Sequence, residues 1–71
     1  MFMRMKKPAQ VRTLFAQRKR WLTIEDIAGG LSMHRNTVRK LLKGGNIDPG
    51  TALRVADAVG EDIMSIAEFV N

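Results

Sequence analysis

In the segment HRNTVRKLLK, residues 34–43, Asn36, Arg39, Lys40 and Lys43 stand at positions i, i+3, i+4 and i+7. On a helix that spacing puts all four on one face. Arg35 stands one turn before Arg39, on the flank of the same stripe. Arginine and lysine donate to guanine O6 and N7, and asparagine pairs both ways with adenine N6 and N7. The residue types therefore suit the reading of base edges as well as the attraction of phosphate. The segment carries no acid. Arg35 with Arg39, and Arg39 with Lys43, are like-charge pairs at i, i+4, each costing about 0.2–0.5 kcal/mol in a helix. Arg35 also stands at the positive end of the helix dipole, which is unfavourable by about 0.3–1 kcal/mol. A single Glu would relieve this repulsion, and so would a bound polyanion. Taken alone, the same residues also make the solvated face of an ordinary amphipathic helix.

Other chemistry is thinly provided. His34 is the one histidine and there is no cysteine. A lone His with no Cys or acid cluster offers no metal site, and neither metal nor cofactor is expected. There is no carboxylate pair placed for acid–base work and no phosphate-binding glycine motif followed by Lys, so the chain does not read as an enzyme. Without cysteine there is neither a disulfide framework nor a thiolate, and the chain can fold in a reducing cytoplasm.

The elements that must position the basic stripe can be read from periodicity and punctuation. Pro8 suits the first turn of a helix, and Val11, Leu14, Phe15 and the stem of Arg18 continue an apolar stripe, giving a helix over about residues 9–19. Thr23 with Asp26 three positions on has the form of a capping box. Ile24, Ile27, Ala28 and Leu31 are the apolar face of a short second helix, about 24–30, weakened at its end by Gly29-Gly30. The third helix, about 35–43, turns Val38, Leu41 and Leu42 inward and stops at Gly44-Gly45. Asp48 and Pro49 open a fourth, with Leu53, Ala56 and Val59 inward and Gly60 at its close. Asp62 caps a fifth, about 63–69, with Ile63, Ile66, Ala67 and Val70 apolar. No stretch reads as alternating with period two, and no hairpin signal is found. The expected fold is all-α, a compact bundle of five short helices.

At 71 residues the chain is one domain with a small core. Residues 8–71 read as that domain, and residues 1–7, MFMRMKK, as a flexible basic arm whose Phe2 and methionines are available to fold back on the core. Arg4, Lys6 and Lys7 either follow a nucleic-acid groove or are a chance basic cluster. No apolar run approaches the roughly 18 residues a membrane span needs, and no targeting signal follows the basic start. Charge is divided unevenly. Residues 1–43 hold eleven Lys or Arg against Glu25 and Asp26, a net of +9; residues 44–71 hold Arg54 against five acids, a net of −4. Such asymmetry directs a polyanion to the first half.

From Thr23 to Gly44 the chain reads TIEDIAGGLSMHRNTVRKLLKG. Thr23, the Ile27-Ala28 pair, Leu31, the polar start Arg35-Asn36-Thr37, then Val38, Leu41 and Gly44 follow the typical run of the phage-repressor/Cro helix-turn-helix family, which this segment resembles. TALRVADAVG, residues 51–60, resembles that family's fourth helix and its closing glycine. The resemblance covers about residues 23–66. It implies a lambda-repressor-like domain that lays its third helix in the major groove, with N-terminal residues on base edges. Arg35, Asn36 and Lys40 would then read bases, while Thr37 and Arg39 would reach a base or a phosphate. Thr23 with the amides around it, Lys43, Asn46 and the basic run Arg18-Lys19-Arg20 would hold phosphates, and His34, which stands where that family places the N-cap of its third helix, would be a cap or a phosphate neighbour. Three positions depart from the pattern. Ile24 stands where a Gln is common, Ser32 where the turn often has Gly, and Leu42 where a Glu is common. Ser32 in a left-handed conformation would cost about 1–2 kcal/mol. Leu42 is either added core or an exposed contact, and Trp21 reads as core rather than as a stacking residue.

Three functions use such a unit. The first is a transcriptional regulator, a repressor or Cro-like protein that binds an operator on double-stranded DNA as a homodimer. The second is the antitoxin of a toxin–antitoxin pair, which binds its own promoter and a toxin protein, a role open to the acidic second half. The third, an adaptor without DNA, does not explain a reading face that is basic and polar throughout. Ile63, Ile66, Phe69 and Val70 lie beyond the four helices of the DNA-binding unit and serve either as a dimer surface or as an intramolecular cap. All of this implies a cytoplasmic protein of a bacterium or a phage-infected cell.

Overall fold

Met3 and Met5 are almost wholly buried, while Phe2 and Arg4, alternating with them, face outward. This alternation is that of a strand, and the computed structural model, which describes residues 1–71, makes Phe2–Met5 strand β1. Five helices follow: α1 Pro8–Lys19, α2 Ile24–Leu31, α3 Arg35–Leu42, α4 Pro49–Val59 and α5 Ile63–Ile66; the chain ends in strand β2, Ala67–Val70. β1 and β2 pair antiparallel, with Phe2 opposite Val70, Met3 opposite Phe69, Arg4 opposite Glu68 and Met5 opposite Ala67. On its other edge β1 exchanges two 2.8 Å hydrogen bonds between Met3 and Ile47.

Two expectations are corrected here. Residues 1–7 are not a flexible arm, because residues 2–5 are strand and carry two core side chains. The fifth helix does not run to residue 69. It lasts four residues, Ala67 turns extended, and the chain joins β1. The fold is therefore five helices with a small two-stranded sheet rather than all-α. The physical reason is mutual. Each four-residue strand is too short to specify itself, and it is the partner's backbone groups that satisfy it.

The core holds sixteen buried residues, all apolar, drawn from both strands, all five helices and Ile47. No buried side-chain N or O lacks a partner. The radius of gyration is 10.6 Å, against about 11 Å for a packed chain of this length. In α4 the inward stripe is Ala52, Val55, Ala56 and Val59, and Leu53, expected inward, is 48% exposed. Both sets satisfy helical spacing through Ala56 and Val59, and the wholly buried Ala52 shows that close packing selected the smaller side chain.

The helix ends explain the order of α1 to α3. α1 stops at Arg20 in the left-handed region, φ 58°, where its amide returns to Ala16 O and that of Trp21 to Phe15 O. The Trp21 and Phe15 rings then stand 5.6 Å apart, so Trp21 packs against the core as expected. α2 opens with the anticipated box: Asp26 N donates to Thr23 Oγ1 at 3.1 Å and Thr23 N to Asp26 Oδ2 at 3.3 Å. It closes at Ser32, φ 53°. Asp48 and Asp62 occupy the N-cap positions of α4 and α5, but neither side chain caps an amide.

Candidate nucleic-acid interface

α3 is held by the elements around it and leaves its polar face outward. Val38 and Leu41 are fully buried, and Leu42 packs partly against the core, which resolves its two readings in favour of core. At the start of the helix the His34 Nδ1 accepts the Asn36 amide at 3.0 Å. A ring nitrogen that accepts must carry the lone pair, so the neutral ring's proton sits on Nε2, free to donate outward. This is the cap role anticipated for His34. No group of three or more His, Cys, Asp or Glu side chains stands together as metal ligands would.

Arg35, Asn36, Arg39, Lys40 and Lys43 are all exposed, and Thr37 is half-buried beside them. The molecule has two ion pairs, Arg4–Glu68 and Arg18–Glu61. None of the four cations of residues 35–43 belongs to either. Their only side-chain link is from Arg39 Nη1 to Asn36 Oδ1, 3.3 Å, one turn back. The face is thus a row of uncompensated positive charge on a rigid element, which lowers the energy of an approaching polyanion.

Beside α3 lies a shallow groove lined by Thr37, Lys40, Asn46, Asp48, Thr51 and Phe2, with Ile47 at its base. It brings together Lys40, expected to read bases, Thr37, expected on a base or a phosphate, and Asn46, expected on the backbone. Phe2, Asp48 and Thr51 were not anticipated there. The alternation of Phe2 and Arg4 with Met3 and Met5 is the signal for Phe2, hidden because methionine and phenylalanine are all apolar.

The turn between α2 and α3 fixes their relative placement. Ser32 adopts a left-handed conformation, φ 53°, and Met33 N reaches back to Ala28 O at 2.9 Å. The Arg54 guanidinium, from α4, donates to the Leu31 and Ser32 carbonyls. The one cation of the second half therefore satisfies the end of α2, where the helix dipole favours positive charge. No spacing in the sequence announces this contact.

The basic run at the end of α1 is partly engaged within the molecule. Arg18 Nη1 donates to Val59 O and pairs with Glu61 Oε2 at 2.8 Å, so it ties α1 to the end of α4 rather than waiting for a phosphate. Lys19 Nζ stands 5.9 Å from the Trp21 ring centre. Arg20 is exposed. Thr23 Oγ1 accepts from Asp26 N, which leaves its hydroxyl proton to donate elsewhere. Of the four residues weighed as a dimer surface, Ile66 is 6% exposed and belongs to the core. Ile63 packs partly on that core, Val70 is half-buried on β2, and Phe69 is exposed. No helix is long and apolar enough to cross a membrane.

No protein-family model, no curated protein and no solved structure matches the chain.

Proposed function

We propose that the protein is a sequence-specific regulator that binds double-stranded DNA and reads it with α3 in the major groove. The observation that carries this reading is the outer face of residues 35–43: four cations, an Asn and a Thr, with no acid among them and no ion pair to neutralise them. The α2–turn–α3 segment resembles the phage-repressor/Cro helix-turn-helix, and its capped entry and left-handed Ser32 suit that role. Arg35, Asn36 and Lys40 read bases; Thr37 and Arg39 reach bases or phosphates. Thr23, His34, Lys43, Asn46, Lys19 and Arg20 hold the backbone, with the His34 Nε2–H as donor. Arg18 acts indirectly, by holding α1 on α4. Two copies bind an inverted repeat, and Phe69, exposed on β2, is the apolar side chain offered to the second copy.

The test is selection of bound sequences from a random duplex pool at about 0.15 M salt, where non-specific binding is weak. An enriched inverted repeat is the expected result, and its half-site spacing gives the dimer geometry. An enriched single site would remove the dimer and keep the reader. No enrichment by folded protein would overturn the proposal and direct attention to a protein partner.

A further inference from the structure

Phe2 is 49% exposed, yet it does not hang free. Its neighbour Met3 is bonded to Ile47 on one side of β1, and Phe2 itself lies opposite Val70 on the other. Strand alternation turns the Phe2 ring outward, into the groove shared with Thr37, Lys40, Asn46, Asp48 and Thr51. An aromatic ring in water among polar groups forgoes its burial, and here it does so directly beside the candidate reading helix.

The charge of this groove defines its ligand. It holds one cation, Lys40, and one carboxylate, Asp48, which caps no amide and joins no ion pair. A phosphate drawn to Lys40 would enter a groove that the Asp48 carboxylate also lines, and that negative charge disfavours it there. A base pair edge meets no such conflict. In the major groove an A·T pair presents an acceptor and an apolar methyl on thymine and a donor amino group on adenine. The groove presents the complementary set: the Lys40 ammonium as donor, the Asp48 carboxylate as acceptor, and the Phe2 ring as apolar surface.

We propose that Phe2 is a specificity-determining residue that packs on the 5-methyl group of a thymine in the bound site. This rests on the duplex-DNA reading above. It adds to α3 a contact from β1, 33 positions before the reading helix in the sequence.

Deoxyuridine lacks the thymine methyl and keeps every hydrogen-bonding group, so it isolates the contact. With the full chain and its selected duplex, each thymine is replaced in turn by deoxyuridine. One position weakens the wild-type protein about fourfold, the value of one buried methyl-sized group. Phe2→Ala binds the thymine and deoxyuridine forms equally, and Phe2→Leu keeps part of the preference. Both variants retain the wild-type circular dichroism, since the ring is outside the core. Three results would overturn the inference. One is wild-type binding indifferent to deoxyuridine at every position. Another is Phe2→Ala weakening all duplexes alike, as packing on deoxyribose would require. The third is Phe2→Ala binding its site unchanged. Failure of the wild-type protein to select any duplex would instead remove the DNA reading itself.

Discussion

Trp21 lies across the face of α2 at Gly30, so closely that a β-carbon there would stand 2.1 Å from its Cζ2. Gly30 therefore answers a packing need, while Gly29 next to it has open space above its Cα. Gly30→Ala must displace the Trp21 ring or α2 and is expected to cost about 1–3 kcal/mol. Gly29→Ala, with no contact to lose, should gain up to about 1 kcal/mol from helix propensity. Urea denaturation of both variants decides the matter. Equal effects would show that the two glycines only soften the helix end. In the Trp21→Ala background the Gly30→Ala penalty should shrink, because the clash has no partner there.

Ser32 holds a left-handed conformation, φ 53°, at the α2–α3 turn. Ser32→Gly removes the side-chain penalty, about 1–2 kcal/mol, and restores part of it as lost chain entropy. A net gain of about 0.5–1 kcal/mol is expected in the same assay, and a loss would mean that the hydroxyl makes a contact worth more than the strain.

Arg54 joins α4 to the Leu31 and Ser32 carbonyls. Arg54→Met keeps most of the aliphatic stem and removes the donors, so stability should fall by about 1 kcal/mol. DNA affinity should fall with it, because this guanidinium helps fix the turn that aims α3. Amide exchange at Met33 and Asn36 reports the loosening directly; unchanged protection would assign Arg54 to the surface.

If the proposed DNA reading holds, Lys40 and Lys43 should separate reading from attraction. Lys40→Ala should cost about 1–3 kcal/mol on the selected site and relax the preference at one position. Lys43→Ala should weaken every duplex alike and lower the slope of log K against log salt by about 0.9. Titrations of both variants at several salt concentrations test this, and matching, sequence-independent losses would withdraw Lys40 from base reading.

Arg18 forms its contacts within the molecule. Arg18→Ala is expected to lower stability by about 0.5–1.5 kcal/mol through the lost bond to Val59 O. Glu61→Gln should change little, since an exposed pair contributes about 0–1 kcal/mol. A melt that does not move for Arg18→Ala, together with a lower salt slope on DNA, would return Arg18 to the phosphate contacts.

The helices were legible because each depends on residues near one another in the chain. The Thr23–Asp26 box, Pro8 and Pro49 at helix starts, and the left-handed Gly44 and Gly60 at helix ends are local devices. So is the basic face of α3, which follows from a spacing of three and four. Its row of cations and its buried Val38 and Leu41 were open to reading from residues 34–43 alone, and its His34 cap from the resemblance.

The strands and the groove were not, because their causes lie far apart in the chain. Ile63 to Val70 is apolar enough to continue as helix, and only the waiting edge of β1, more than 60 residues earlier, turns Ala67–Val70 into strand. Four residues hold too few turns or alternations to outvote a partner's hydrogen bonds. The same pairing lifts Phe2 beside Lys40, while helix packing brings Arg54 of α4 to the end of α2 and buries Ile66. Local sequence thus determined which helices form and which face of α3 is charged. Tertiary packing decided which neighbours complete that face, because backbone pairing and core burial are satisfied only when distant segments meet.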